Sequence, residues 1–484
     1  MQTQQQLAEQ VLILQQENTF LKEELAQLKR MIFGSKKERF IATDSAQQSL
    51  FEVELEQSAP ETETVSYQRE KPVREGKAKR LLLPAHLPRK EEVLEPENIA
   101  TDSTKIGEKV TEVLEYTPGK FYVHKTIRPV YKQGEQIKVA QLPTQVIPNG
   151  NAGASVLAYL VVSKFIDHLP YYRQVQLFKR DGMKIPESTI TGWFRKTTEL
   201  LTPLYELMAN QIASSDYIQA DESPIPVLSA QKPGSTHKGY QWVFLLPKSK
   251  MVVFRYDKSR GKAVPQAILK DFKGCLQTDG YAGYEQLGKN KDVVHIACMA
   301  HARRKFDVAQ ENDPELASYA LKQIQLLYAI ERKAQEQKLD PAQIKALRQK
   351  EAVPILLEIR AWLEETYPKV LPKSAIGKAV AYSLKLWPQL TAYTQNGEWR
   401  IDNNAVENKI RPLALGRKNY LFAGSHQAAQ QAAMMYSFFG SCKINQVEPL
   451  QWLTEVLRQI PDTKLSQLHK LLPNNQNFKQ SLHA

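Results

Sequence analysis

Apolar residues recur every seven positions over the first forty residues of the chain. One row holds Leu7, Leu14, Leu21 and Leu28, and the row four positions on holds Val11, Asn18, Leu25 and Ile32. Leucine in one row and a single asparagine in the other are typical of a parallel two-stranded coiled coil, in which the asparagine fixes the register. We therefore predict a leucine-zipper coiled coil over residues 1–40 that pairs two copies of the chain. An amphipathic helix packed on its own domain remains the alternative.

The heptad pattern disappears after residue 40. Residues 41–83 are first acidic and then basic, lack any repeat, and are predicted to be a linker. From 84 to 150, short runs rich in β-branched and aromatic residues alternate with turn residues, which predicts a small β module.

The apolar pattern becomes helical over residues 151–212. A helix from Pro170 to Arg180, a turn at Asp181 and a second helix beginning at Ser188 are predicted there. This is the arrangement of helix-turn-helix DNA-binding proteins. A plain helical hairpin has the same pattern, so the sequence leaves both interpretations open.

The pattern changes to that of strands over residues 213–310. Apolar runs predict five strands, at 217–221, 240–246, 251–256, 274–278 and 293–297. Three antiparallel strands, a helix, a strand, a helix and a strand are the order of a mixed sheet of the ribonuclease-H type.

Helical patterns dominate the rest of the chain. We predict a helical insertion, a helix that completes the core, and a C-terminal helical tail, at 311–398, 399–445 and 446–484. The predicted fold class is multidomain α/β, with an N-terminal coiled coil, a small β module, a helix-turn-helix region and a ribonuclease-H-like catalytic domain.

Composition narrows the possible partners. Among 484 residues, 65 are Lys or Arg and 52 are Asp or Glu, a formal net charge of +13 that favours nucleic acid over membrane as a partner. A hydrophobic content of 42% excludes wholesale disorder and fibrous architecture. Three cysteines form no disulfide framework and indicate a reducing compartment. Because the start is unlike a signal peptide and the longest apolar run, 156–162, is too short to span a bilayer, we expect a cytoplasmic protein.

Three carboxylates are candidate catalytic and metal-binding residues. Asp221 and Asp279 each end an apolar strand, which is a rigid mount for a ligand. The third is Glu407, on a helix that Asp402 is predicted to cap. These acids offer oxygen ligands, and the sequence shows no histidine and cysteine cluster around them. Such a site suits a pair of Mg²⁺ or Mn²⁺ ions and makes zinc a poor match. Such a pair can drive an in-line phosphodiester displacement. Each acid alone also fits an ordinary turn or cap, so the hypothesis depends on the combination.

Basic residues around these positions are candidate DNA contacts. They are Lys164, Arg173, Lys179, Arg180, Lys184, Arg195, Lys196, Arg303, Arg304, Lys305, Arg411, Arg417 and Lys418. Such side chains hold phosphates, but solvated helix faces carry the same residues. Cys298 and His301 resemble half of a soft metal site, and because the sequence offers no second half, we predict that Cys298 is packed in the core.

Four segments resemble one protein family. They are residues 218–227 (IQADESPIPV), 277–284 (QTDGYAGY), 298–306 (CMAHARRKF) and 401–425 (IDNNAVENKIRPLALGRKNYLFAGS). They are similar to the large transposase of the insertion-sequence 66 family, and the resemblance extends over most of the chain. It implies an Asp-Asp-Glu transposase in which Asp221, Asp279 and Glu407 form the metal-binding catalytic triad. It also implies a bacterial protein that associates with the nucleoid when bound to DNA.

The sequence departs from this family in one place. Many members carry paired cysteines between the coiled coil and the helix-turn-helix, and residues 98–140 contain none, so we expect this module to bind no zinc. Members are also encoded beside small accessory proteins, which the resemblance implies as further partners. We expect a dimeric or larger transposase that cuts the ends of an insertion sequence and joins them to target DNA. A structure-selective metal-dependent nuclease of the same fold and a non-catalytic dimeric DNA-binding protein remain the alternatives.

Overall fold

The computed structural model describes residues 150–476 except 230, 231 and 233, together with residue 478 and short segments between 119 and 148. The predicted coiled coil and linker lie outside the described residues. Within the predicted β module, the described part contains a hairpin of two antiparallel strands, β1 (Val130–Gln133) and β2 (Gln136–Val139).

Helices make up most of the described chain. They are α1 (Ala154–Phe165), α2 (Tyr171–Arg180), α3 (Glu187–Asn210), α4 (Ala263–Ile268), α5 (Met299–Ala309), α6 (Pro314–Glu336), α7 (Pro341–Leu347), α8 (Val353–Thr366), α9 (Ala375–Lys385), α10 (Trp387–Thr391), α11 (Asn404–Tyr420), α12 (His426–Ile444) and α13 (Pro449–Gln459). Within the described segments, none of them combines the length and the apolar character that crossing a bilayer requires.

A five-stranded mixed sheet follows α3. Its strands are β3 (Tyr217–Leu228), β4 (Thr236–Leu246), β5 (Met251–Asp257), β6 (Gly274–Thr278) and β7 (Val293–Ala297). They lie in the order β5-β4-β3-β6-β7. The β5-β4 and β4-β3 pairs are antiparallel, because short turns join these strands, and the β3-β6 and β6-β7 pairs are parallel.

The sheet differs from the sequence prediction in two respects. β3 continues past Asp221 to Leu228, so Asp221 lies inside a strand and not at its end. The register with β6 ends at Gln219, and β4 pairs along the part that contains Pro224 and Pro226, with one further bridge between Val227 and Ala423. The helix predicted between β6 and β7 is absent, and two 3₁₀ turns take its place.

Gly274 allows β6 to start in close contact with the residue before β3. Its φ is +139°, and a Cβ there would lie 2.4 Å from the backbone oxygen of Asp216. That oxygen accepts a hydrogen bond from the N–H of Cys275 at 2.8 Å. Because only glycine combines this backbone angle with this approach, Gly274 fixes the position of β6 beside β3.

Two hydrophobic cores support the architecture. One joins the sheet to α1, α2, α3, α11, α12 and α13, and the other joins α5 to the helices of the 314–393 block. In the second core the buried guanidinium of Arg348 donates two hydrogen bonds to the carboxylate of Glu331, at 2.8 and 2.6 Å. It also donates to the backbone oxygens of Tyr393 and Asn396, so this buried charge is both paired and hydrogen-bonded.

Candidate active site

The parallel register of β3 and β6 aligns the two candidate aspartates. Gln219 of β3 is level with Gln277 of β6, and Nε2 of Gln219 donates to Oε1 of Gln277 at 2.7 Å, so both side chains lie on one face. Asp221 and Asp279 follow two residues later in each segment, and residues two apart in an extended chain point to the same side. Asp279 directly follows β6, and its charge is near enough to raise the pKa of Asp221.

The segment leading into α11 is hydrogen-bonded to this same face. The amide of Gln219 donates to the backbone oxygen of Asp402 at 3.0 Å, and the amide of Gln277 donates to that of Arg400 at 2.8 Å. These bonds fix where α11 begins. They therefore fix the direction in which Glu407, on the first turn of α11, leaves the helix.

The start of α11 differs from the prediction by one residue. Asn403 and not Asp402 occupies the N-cap position, and its amide donates to the backbone oxygen of Ala220 in β3 at 3.1 Å. Asp402 still accepts a hydrogen bond from the N–H of Asn404 at 3.1 Å, and its other oxygen accepts from the hydroxyl of Tyr328 at 3.0 Å. The hydrogen bond between Asn403 and β3 explains why the helix begins one residue later than predicted.

Burial and three neighbouring acids raise the pKa of Asp221. Burial raises the pKa of its carboxyl group to about 8, and the charges of Asp279, Glu222 and Glu407 act in the same direction. The backbone N–H of Glu222 donates to Oδ1 of Asp221 at 2.7 Å and opposes this shift. The charges of Asp279 and Glu407 thus both reach Asp221, a concentration of negative charge that a bound cation would relieve.

Glu222 is a buried acid that the sequence analysis missed. Its side chain is 2% exposed, and Arg260 donates to its Oε1 from two nitrogens, at 2.9 and 2.6 Å. The hydroxyl of Tyr284 donates to its Oε2 at 3.2 Å. Burial raises its pKa, and the charge of Asp279 adds to the effect. Its position next to Asp221 was the signal that the sequence offered for a role at this site. Nothing in the sequence pairs Glu222 with an arginine 38 positions away.

Cys298, His301 and Glu407 form a cluster with metal-ligand chemistry. One potential ligand atom from each lies within 4.8 Å of the others. The prediction that no histidine and cysteine cluster adjoins the acids is therefore wrong, because α5 begins directly after β7 and its first turn reaches Glu407. The prediction that Cys298 is packed in the core is confirmed, since it is fully buried and its Sγ accepts a hydrogen bond from the N–H of Asn403 at 3.1 Å.

The helix pair α2 and α3 presents several basic residues to solvent. Those with exposed side chains are Arg173, Lys179, Arg180, Lys184, Arg195 and Lys196. Arg195 and Lys196 each lie 3.8 Å from the carboxylate of Glu199. The guanidinium of Arg173 donates to Oδ1 of Asn419 at 3.3 Å, so the basic face of α2 adjoins the end of α11.

Lys164 has a different environment from the other candidate DNA contacts. Its Nζ lies 3.8 Å from the centroid of the Tyr171 ring and 5.4 Å from that of Phe194. Burial lowers the pKa of its amino group to about 8. An amine packed among aromatic rings is poorly placed to hold a phosphate, so the structure argues against this member of the set.

The basic residues near the acids also divide by environment. Arg304 lies 3.6 Å from Oε2 of Glu407, and Nζ of Lys305 lies 4.6 Å from the centroid of the Tyr382 ring. Arg417 donates to Oγ of Ser223 at 3.0 Å and to the backbone oxygen of Pro224, which ties α11 to β3. The remaining members are Arg303, which is half-buried, and Arg411 and Lys418, which are exposed.

Family profiles match three parts of the chain. Residues 149–431 match a profile described as "Transposase IS66 family", and residues 437–474 match "IS66 C-terminal element". Residues 20–91 match "Transposase C of IS166 homeodomain". The first of these matches contains all three predicted acids.

Similar full-length proteins come from Sinorhizobium fredii (strain NBRC 101917 / NGR234). The uncharacterized protein y4jD is 31% identical over 487 residues, which cover 94% of this chain and 94% of the relative. The uncharacterized protein y4qI is 31% identical over 473 residues, which cover 93% of this chain and 87% of the relative. The similarity therefore extends over nearly the whole of each protein.

Proposed function

The chain belongs to the IS66 transposase family, and from this premise we propose that it cuts DNA at the ends of an insertion sequence and joins those ends to target DNA. The proposed catalytic residues are Asp221, Asp279 and Glu407. The proposal is supported by the β3 and β6 register, which pairs Gln219 with Gln277 two residues before the aspartates, and by the charges of Asp279 and Glu407, which both raise the pKa of Asp221. In the proposed reaction water attacks a phosphodiester bond, and the freed 3′-hydroxyl then attacks the target strand.

We also infer that the catalytic domain is ribonuclease-H-like. The support is the order of the sheet, in which three antiparallel strands are followed by two parallel strands on the other side of β3. The helical block from α6 to α10 comes between the second and third proposed catalytic acids, which agrees with an insertion before the last acid.

The donor set fits divalent cations. The three carboxylates offer the oxygen ligands that Mg²⁺ and Mn²⁺ prefer, and Oε1 of Glu407 is buried without a hydrogen-bond partner among the described residues. Asp221, Asp279 and Glu407 would hold the ions, two in this proposal. When bound, such ions activate the attacking oxygen and neutralise charge on the phosphoryl group.

Neighbouring groups orient the acids. The N–H of Glu222 holds Oδ1 of Asp221 at 2.7 Å, and the N–H of Tyr281 holds Oδ1 of Asp279 at 2.8 Å. The hydroxyl of Tyr382 donates to the backbone oxygen of Asp279 at 2.7 Å. These contacts restrict the rotation of both aspartates before any ligand arrives, which is the preorganisation that phosphoryl transfer requires.

DNA and a second copy of the chain are the proposed partners. Exposed basic residues on α2, on α11 and in the turn after α2 are proposed to hold phosphates, and the proposed set is Lys179, Arg180, Lys184, Arg411 and Lys418. Pairing through residues 1–40 and participation of accessory proteins of the same element belong to the same proposal, as does a cytoplasmic location.

The test is to remove each acid separately. Asp221→Asn, Asp279→Asn and Glu407→Gln should each lower the rates of strand cleavage and joining by about a thousandfold or more, measured with labelled DNA carrying the ends of the element in Mg²⁺. Asp292→Asn is the matched control, because this exposed acid pairs with Lys273 at 3.3 Å and should keep full activity. Full activity in any of the three variants would remove that residue from the site.

The same assay separates the alternatives. A structure-selective nuclease would cut the labelled strand without joining it to target DNA. A non-catalytic binding protein would retain DNA without strand scission, with an affinity that does not depend on Mg²⁺.

A further inference from the structure

Two buried polar atoms face each other beside the proposed catalytic centre. Nδ1 of His301 lies 3.6 Å from Oε1 of Glu407, which is beyond hydrogen-bonding distance. Both atoms are buried, and neither has a hydrogen-bond partner among the described residues. His301 is on the first turn of α5 and Glu407 is on the first turn of α11, so two separately anchored helices hold the pair.

Leaving both atoms without a partner is costly. A buried acceptor without a hydrogen bond is destabilising, and a charged one is more so. The second oxygen of Glu407 already lies 3.6 Å from the guanidinium of Arg304, so the arginine compensates Oε2 and leaves Oε1 turned to the histidine. An imidazole nitrogen and a carboxylate oxygen this close together can serve as ligands of one transition-metal ion.

We propose that His301 is a nitrogen ligand of a divalent cation shared with Glu407, and that this ligand makes the position selective for Mn²⁺ over Mg²⁺. The inference rests on the proposed function, since Glu407 is the third acid of that site. Oxygen-only sites suit Mg²⁺, whereas an imidazole ligand favours first-row transition metals. The mixed pair therefore distinguishes this position from one held by aspartates alone.

Cys298, the third member of the cluster, has a positioning role. Its Sγ accepts the N–H of Asn403, the N-cap residue of α11, at 3.1 Å, and the side chain is fully buried. It thereby positions the helix that carries Glu407. A metal-bound thiolate can keep such an N–H···S hydrogen bond, so zinc held through Cys298 is the competing outcome.

The experiment is Mn²⁺ binding to the full-length protein, followed by electron spin echo spectroscopy, which detects ¹⁴N bonded to the metal. The wild type should show ¹⁴N coupling, and His301→Gln should lose it. The affinity for Mn²⁺ should fall about tenfold or more in this variant, while the affinity for Mg²⁺ changes little. His301→Asp is a second variant, which should bind Mn²⁺ without ¹⁴N coupling and shift the preference toward Mg²⁺.

Two control variants are provided by neighbouring residues. Cys298→Ser should keep the ¹⁴N coupling, because its role is to hold Asn403. His295→Gln should also keep it, because Nε2 of His295 lies 2.9 Å from Oγ1 of Thr278, outside the cluster. The histidine ligand is then identified by which substitution removes the signal.

Other results would overturn the inference. These are a wild type without ¹⁴N coupling, coupling that survives in both His301 variants, or Zn²⁺ binding that displaces Mn²⁺ and is lost in Cys298→Ser. The proposed function is judged separately by Mg²⁺-dependent cleavage and joining. If the wild type cleaves and joins in Mg²⁺ but shows no ¹⁴N coupling, the role of His301 is wrong and the transposase proposal stands.

Discussion

The amino group of Lys164 is packed against aromatic rings, and this determines its protonation. Burial lowers its pKa to about 8, while the charge of Glu187 acts in the opposite direction. In the unfolded chain the amine would have its ordinary pKa of 10.5. Below pH 8 both states carry the proton, so the folded state bears the full cost of a buried charge. Between pH 8 and 10.5 the unfolded state binds more protons, so stability rises with pH over this window.

Lys164→Met should therefore stabilise the protein at pH 7. The gain over the wild type should shrink as the pH rises from 8 toward 10.5, because the wild-type amine then loses its proton in the folded state. The free energy of unfolding from denaturant titrations of both proteins at pH 7 and pH 10 measures this difference.

Lys179→Met is the matched control for this prediction. Lys179 is exposed on α2, so its substitution should change the free energy of unfolding little at either pH. A Lys164→Met protein that is less stable than the wild type at pH 7 would mean that the rings stabilise the charged amine.

Sequence patterns can indicate residues that a strand or a motif fixes, but not residues that tertiary contacts fix. Asp221 and Asp279 follow apolar runs that had to be strands, so their proximity was a reasonable prediction. The approach of His301 to Glu407 joins residues of two helices separated by the whole helical block, and no local pattern encodes it. The same holds for Arg417, whose contacts with Ser223 and Pro224 span more than 190 positions.

At the scale of elements, α12 protects the edge strand β5. The hydroxyls of Ser437 and Ser441 accept hydrogen bonds from the N–H groups of Phe254 and Val252, at 2.8 and 3.1 Å. Gly440 lies between them, and a Cβ there would lie 2.5 Å from Cγ1 of Val252. A helix that packs this closely satisfies backbone groups that an exposed edge would offer to another chain.

Ser437→Ala should destabilise the protein by about 1–3 kcal/mol, because it leaves the buried N–H of Phe254 without a partner. Denaturant unfolding compared with the wild type measures the change. Ser214→Ala provides the control, since this exposed hydroxyl donates only to a backbone oxygen at 3.3 Å and its loss should be nearly neutral. Equal effects of the two substitutions would refute the role given to α12.

The starts of helices were predicted correctly where a local sequence pattern marks them. The extent of a strand was predicted wrongly where it depends on the strand with which it pairs. α2 and α3 begin within a residue of the predicted starts, because Pro170 and Pro186 mark them. The length of β3 depends on its partner β4, which the local sequence of the strand does not reveal. The crossover between the parallel strands β6 and β7 contains 3₁₀ turns instead of the predicted helix, which the local sequence did not indicate.

At the scale of the whole molecule, the positive charge is unevenly distributed. The first eighty residues hold 12 basic and 13 acidic residues, a net charge of −1. The rest of the chain therefore carries a net charge of +14, and the two parts sum to the total of +13. If DNA is the partner, most of the electrostatic attraction must come from the part that contains the sheet and its helices. Sequence alone gave this distribution, but it did not reveal which lysines and arginines are engaged inside the protein, as Lys164 and Arg417 are.

The salt dependence of DNA binding tests which basic residues hold phosphates. Each phosphate contact contributes about −0.9 to the slope of the logarithm of the binding constant against that of the salt concentration. The double variant Lys179→Gln with Arg180→Gln should therefore reduce the steepness of this slope by about 2, measured by fluorescence anisotropy with metal-free protein. Lys164→Met removes one charge but should leave the slope unchanged, because its amine is packed against Tyr171. If the slope instead falls in Lys164→Met and not in the double variant, the DNA lies on a different face from the one formed by α2.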